Sequence, residues 1–110
     1  MKRIFVSGPY SQPDQARNVA SAMEAADDLL EYGFAPYTPH LTHFQHLHNA
    51  RPYESWMKLD LCWLEVCDAV FRLDGESPGA DRECARAAEL GLPVFTEWNE
   101  LLRWRAGDTP

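Results

Sequence analysis

Short β-branched and aromatic runs alternate with longer stretches of helical period along the chain, and this alternation constrains the fold more than any other feature. Lys2 to Ser7 is the first run, cut off by Gly8-Pro9, which reads as a strand with an abrupt turn. From Pro13 the apolar spacing changes to a helical period, with Ala16, Val19, Ala20, Met23, Ala26, Leu29 and Leu30 on one stripe. Ser11 or Asp14 supplies its opening cap, and Gly33 closes it as a C′ glycine. Phe34 to Tyr37 forms a second short strand, ended by Thr38-Pro39. Residues 38–51 show no clean period and hold all four histidines, so they read as a long loop, functional or mobile.

Pro52 suits the first turn of a helix running to about Val66, with Trp56, Leu59, Trp63 or Leu64, and Cys67 at helical spacing. Ala69 to Leu73 is a third strand, apolar except for Arg72, as expected near the middle of a parallel sheet. Ser77-Pro78 then provides a cap followed by proline at the first helical position, and Ala80, Cys84, Ala87, Ala88 and Leu90 follow before Gly91. Pro93 to Thr96 is a fourth strand and Glu97 to Arg105 a terminal helix. The order βαβαβαβα requires parallel strands joined by right-handed crossovers. The expected architecture is a flavodoxin-like (Rossmann-like) α/β three-layer sandwich with a parallel sheet of about four or five strands. Residues 1–110 read as a single domain.

Composition narrows the partners. A net charge of −7 disfavours the coating of nucleic acid, yet leaves room for one small phosphorylated ligand held by backbone N–H groups. No apolar run approaches the roughly 20 residues that span a bilayer. The N-terminus begins like a signal peptide but turns polar at Gly8-Pro9-Tyr10. Cys62, Cys67 and Cys84 are odd in number and fall within expected helices, so they read as reduced, buried small residues of a cytoplasmic protein. No helix start or basic neighbour marks any of them as a nucleophile.

In such a fold the ligand lies at the carboxyl ends of the strands, where Ser7 to Ser11, Thr38 to Arg51 and Asp74 to Glu83 meet. Gly8 lets backbone approach a ligand, and the helix start beyond it offers free N–H groups; a plain tight turn is the simpler alternative. The loop lacks the Gly-Lys-Ser/Thr ending of a Walker motif. Ser77 and Gly79 repeat the arrangement before the helix that carries Glu83. Helical side chains lean toward the N-terminus, so Glu83 can point back over the cleft; a solvated glutamate favouring the helix dipole is the plain alternative. Asp60 stands among Leu59, Leu61 and Cys62, either at a helix edge or held for a purpose. Convergence of Asp60 with Glu83 at about 5 Å suits a retaining glycosyl mechanism.

His40, His43, His46 and His48 match neither a zinc-finger pattern nor His-Glu-x-x-His. They read as loop histidines near a base or phosphate, with no metal site expected and a metal-dependent hydrolase as the weakest reading. Tyr10, Phe44, Tyr53 and Trp56 are candidates for stacking on a base, or core residues.

The run Asp60-Leu61-Cys62-Trp63-Leu64-Glu65-Val66-Cys67-Asp68, an apolar strand, and then Ser77-x-Gly79-x-x-x-Glu83 resembles the nucleoside 2-deoxyribosyltransferase superfamily. The likeness is nearest to its nucleoside 5′-monophosphate N-glycosidase and CMP hydrolase branch. The resemblance implies that Glu83 is the nucleophile at C1′ of the sugar and that Asp60 orients it and the sugar hydroxyls. It also implies that Ser7 and Ser77, with nearby backbone N–H groups, hold a 5′-phosphate and that His40 contacts the base, with Gly8, Tyr10 and Gly79 as further substrate-binding positions. The implied ligand is a small nucleoside or nucleotide, with no cofactor, and the implied assembly is a homodimer or a higher homo-oligomer. Two departures stand out: the chain lacks the longer C-terminal segment of most such transferases, and its first loop lacks an arginine, for which Arg17 or Arg51 can substitute. The expected activity is cleavage of an N-glycosidic bond, with hydrolysis favoured over base exchange. A non-catalytic nucleotide-binding or sensing module on the same fold is the alternative.

Overall fold

In a computed structural model, residues 1–107 are described. Ile4, Phe5 and Val6 are fully buried in succession, the mark of a strand covered on both faces. That strand, β1 (Arg3–Ser7), is flanked by β2 (Ala35–Tyr37) and β3 (Ala69–Arg72), and β3 pairs with β4 (Val94–Phe95). All pairings are parallel and the order is β2-β1-β3-β4. The chain reverses direction of winding between β1 and β3, so their carboxyl ends border the crevice of a doubly wound sheet. The expected three-layer α/β sandwich is therefore present, with four strands.

The described residues form five α-helices, α1 (Gln15–Glu31), α2 (Thr42–His48), α3 (Tyr53–Leu64), α4 (Pro78–Glu89) and α5 (Trp98–Arg105), of which all but α2 bury side chains against the core. Alternation along β1 divides the core. Ile4 and Val6 pack with Ala22 and Leu29 of α1 and Leu101 of α5, whereas Phe5 packs with Leu64 and Ala87 of the opposite layer. The local signals for helix ends hold: Asp14 caps α1, Ser77 caps α4 with Pro78 behind it, and Gly33 has φ +88°.

Four expectations are corrected. Residues 38–51 are not a continuous loop: a 3₁₀ turn at Pro39–Leu41 leads into α2, whose seven residues bury none of their side chains. A helix with no buried stripe leaves no apolar period to find. The buried stripe of α1 is Val19, Ala22, Ala25 and Leu29, while Met23 and Leu30 are exposed. Alanines on several faces made two stripes equivalent on paper, and docking on Ile4 and Phe71 chooses between them. On α3 the inward face is Met57, Asp60 and Leu64, with Leu59 and Trp63 outside. A stripe drawn from apolar residues cannot include a carboxylate. Among the thiols, only Cys67 is buried, at a position past the end of α3, and Cys62 is exposed.

Candidate active site

The β1 and β3 exits cross at van der Waals distance. A Cβ on Gly8 would lie 2.9 Å from Leu73 Cβ, and one on Gly75, at φ +115°, would lie 2.8 Å from Pro9 Cγ. Gly8 is thus demanded by loop packing. The crossing places Ser7, which is fully buried, beneath the first turns of α4. Its hydroxyl donates to Glu83 Oε1 at 2.7 Å. Ser77 Oγ accepts from the backbone N–H of Ala80 at 3.0 Å, which starts α4 at the crevice. Gly79 brings α4 against α3, since a Cβ there would stand 3.0 Å from Tyr53 Oη.

Two buried carboxyls line this interior. Glu83 and Asp60 are 6% and 7% exposed. Burial pushes the Glu83 carboxyl up to about 8; the Ser7 hydrogen bond opposes this, the negative charge of Asp60 adds to it, and Arg72 opposes it. Burial likewise pushes Asp60 up to about 7 against the hydrogen bond from Tyr37. Tyr37 donates to Asp60 Oδ1 over 3.4 Å, its ring stacked between Phe5 and Trp63. Its own hydroxyl is shifted strongly upward by burial and then by the Asp60 charge. Arg72 is held by the carbonyls of Leu73 and Gly75 and lies 3.6 Å from Asp81.

Above this floor stands a wall built from the 3₁₀ turn and α2. His40 is buried, and its Nε2–H donates to the carbonyls of Pro9 at 3.0 Å and Gly8 at 3.2 Å. Burial lowers its pKa, and the ring ties the wall to the first loop. Tyr10 Oη and His43 Nδ1 lie 2.7 Å apart. Trp56 Nε1–H donates to His46 Nδ1 at 2.8 Å.

Floor and wall enclose a cavity of about 720 Å³, within the size range of small-molecule sites. Glu83, Asp60, Gly8, Tyr10, His40, Ser77 and Gly79 all reach it. Ser7 does not; it sits behind Glu83 and supports it. Of the arginines considered as substitutes, Arg51 borders the cavity and Arg17 does not. The stacking candidates Tyr10, Tyr53 and Trp56 line it, whereas Phe44 is exposed beside His43. Among the described residues, no group of three or more His, Cys, Asp or Glu side chains is placed to hold a metal ion.

Sequence reasoning missed Tyr37, Arg82 and the particular place of His46. Tyr37 reads as a strand aromatic, and nothing local points it at Asp60. Arg82 borders the cavity while paired with Glu54 at 2.7 Å; its adjacency to Glu83 was the available signal.

Residues 2–97 match the sequence family described as Domain of unknown function (DUF7768). The chain belongs to that family. No curated protein matches it. Among solved structures it is similar to the 2-deoxyribosyltransferase of the psychrotolerant bacterium Bacillus psychrosaccharolyticus, a biocatalyst for the synthesis of antiviral and antitumoral nucleosides. The two share 20% identity and a TM-score of 0.61, over 98% of this chain and 91% of that one. The likeness is one of fold. No described helix is long and apolar enough to cross a membrane.

Proposed function

We propose that this protein cleaves the N-glycosidic bond of a nucleoside or nucleoside 5′-monophosphate, with Glu83 as nucleophile and water as the final acceptor. The observation that carries the reading is the buried Ser7–Glu83 hydrogen bond of 2.7 Å beside a second buried carboxyl, Asp60, at the floor of a ligand-sized cavity. A buried carboxyl placed to attack an anomeric carbon suits chemistry through a glycosyl-enzyme. The bond from Glu83 to C1′ forms as the C1′–N bond breaks, and the electron pair leaves with the base. Water then attacks C1′, the C1′–carboxylate bond breaks, and the proton that water loses passes to the departed base anion, giving free base and sugar with Glu83 restored.

Burial disposes both carboxyls toward protonation in the free protein. Positive charge developing at the anomeric carbon favours the anion, so ionisation and bond breaking reinforce each other. In this proposal Asp60 orients the nucleophile and the sugar hydroxyls. The N–H groups at the start of α4, with Arg51 nearby, suit a 5′-phosphate. The preference for water over a second base rests on the likeness of the Ser77-x-Gly79-x-x-x-Glu83 segment to the N-glycosidase branch of the nucleoside 2-deoxyribosyltransferase superfamily. A homodimer accords with the exposed apolar side chains of Leu59, Trp63 and Val66 around the end of α3 and of Phe44 and Leu47 on α2. Three free thiols suit a reducing compartment such as the cytoplasm.

Incubation with a panel of nucleosides and their 5′-monophosphates, with free base resolved by chromatography, tests the reading. Base release by wild type and its loss in Glu83→Gln is the expected result. Tight binding with no release from any member, the two proteins behaving alike, would make the fold a nucleotide-binding module instead.

A further inference from the structure

His46 is held in a single tautomer by two donors. The indole N–H of Trp56 reaches its Nδ1 at 2.8 Å and the backbone N–H of Arg51 reaches the same atom at 3.2 Å. Both groups can only donate, so Nδ1 carries the lone pair and the proton of the neutral ring sits on Nε2. That N–H has no protein partner among the described residues. It is not sealed away either, because His40 Nδ1 is the one buried side-chain polar atom among them without a partner. The ring is half-buried and lines the cavity with Tyr53, Trp56 and Met57. A donor of fixed tautomer therefore stands among broad apolar surfaces, while the reactive carboxyl lies at the floor.

We infer that His46 reads the nucleobase, its Nε2–H donating to a ring nitrogen or carbonyl on the edge of the leaving base, and that Trp56 is the positioning residue that keeps this nitrogen protonated. The inference rests on the nucleoside reading of the cavity given above. A phosphate calls for cations or backbone N–H groups, and a neutral imidazole supplies no charge. Sugar hydroxyls both donate and accept, so they gain nothing from a fixed tautomer. A base offers a flat apolar body with acceptors at set places on its rim, and the His46 surroundings match both halves of that description. As the C1′–N bond breaks, the electron pair moves onto the base, and the hydrogen bond from Nε2–H strengthens with it. No proton needs to be transferred by His46 itself.

Calorimetric titration of the full chain with the adenosine, guanosine, cytidine, uridine and thymidine 5′-monophosphates tests the inference. The proteins compared are wild type, His46→Gln, His46→Asn and Trp56→Phe. A glutamine amide nitrogen falls near the Nε2 position, whereas an asparagine reaches only Nδ1. The expected result is a loss of about tenfold or more in affinity for the preferred nucleotide in His46→Asn, with His46→Gln within about threefold of wild type. Trp56→Phe lies between them. A deaza or deoxo analogue lacking the acceptor binds wild type and His46→Asn alike.

Equal affinity of wild type and His46→Asn for the preferred nucleotide overturns the inference. So does an equal loss across all five nucleotides, which marks a sugar or phosphate contact. Should His46→Asn fail to fold, the analogues decide with wild type alone, and undiminished binding of every analogue overturns the claim. Base release separates this inference from the glycosidase reading. Nucleotides discriminated through His46 but never cleaved leave base recognition standing without catalysis, and cleavage untouched by His46→Asn removes base recognition only. No binding of any nucleotide removes both.

Discussion

The floor and the wall of the cavity use polar groups in opposite ways. On the floor, Glu83 and Asp60 are buried acids held near protonation by their surroundings. The groups touching them, Ser7 and Tyr37, come from strand ends that cannot move without disturbing the sheet. On the wall, His40, His43 and His46 of the 3₁₀ turn and α2 serve as hydrogen-bonding groups, and α2 buries no side chain at all. On the proposed function, the floor suits charge that changes during a reaction and the wall suits shape and recognition. Rigidity follows the same division, because a helix without a buried face draws its stability from a few side-chain contacts.

The largest effect expected on this contrast comes from Glu83→Gln. It preserves shape and removes the proposed nucleophile, so base release should fall on the order of 10³-fold or more with the fold intact. Comparable release would place the chemistry elsewhere. Ser7→Ala removes the hydrogen bond to Glu83 and leaves a buried acid without its donor. Activity should drop about tenfold to a hundredfold and stability by about 1–3 kcal/mol, read by kinetics and denaturant unfolding.

The pH dependence of stability sharpens the same division. Glu83 and Asp60 are raised from 4.5 and 3.8 to about 8 and about 7 in the folded chain. The native state thus binds more protons than the unfolded one between those limits, and their contribution is complete below the ordinary carboxylate range. It is lost as pH rises through about 7 and then about 8. His40, lowered from 6.5 by burial, acts in the opposite sense, and its contribution is lost on acidification. Thermal unfolding of wild type should therefore show stability declining from about pH 6.5, above which His40 no longer opposes the trend, to about pH 8, and levelling beyond. Glu83→Gln should flatten that decline, and an unchanged slope would contradict the burial of a proton-binding Glu83.

The smallest effect belongs to the wall. His43→Ala removes the contact with Tyr10 Oη and should cost about 1 kcal/mol, with base release changed less than about tenfold. A loss as large as that of Ser7→Ala would erase the distinction between floor and wall.

Much of this was legible in the chain because the signals act over a few residues. The Asp14 and Ser77 caps bond to groups three residues away, and Gly33 takes up a positive φ that suits glycine. Each cue is local, and strict alternation of strand and helix leaves few ways to connect them. Glu83 was legible for the same reason, standing six residues after the cap of its own helix. Which faces turn inward was not legible where several satisfy the same period, as with the alanines of α1. A helix such as α2, with no buried face, left no pattern at all.

By itself, then, the sequence determined a parallel α/β sandwich, the ends of its main helices, and a glutamate and an aspartate as candidates for its crevice. Tertiary structure alone decided that Ser7 serves Glu83 across 76 positions, that Tyr37 serves Asp60, and that Trp56 fixes the tautomer of His46. The physical reason is range: caps and periodicities are settled between near neighbours along the chain. The burial that shifts a carboxyl, or fixes the proton on an imidazole, depends on groups that only packing brings together.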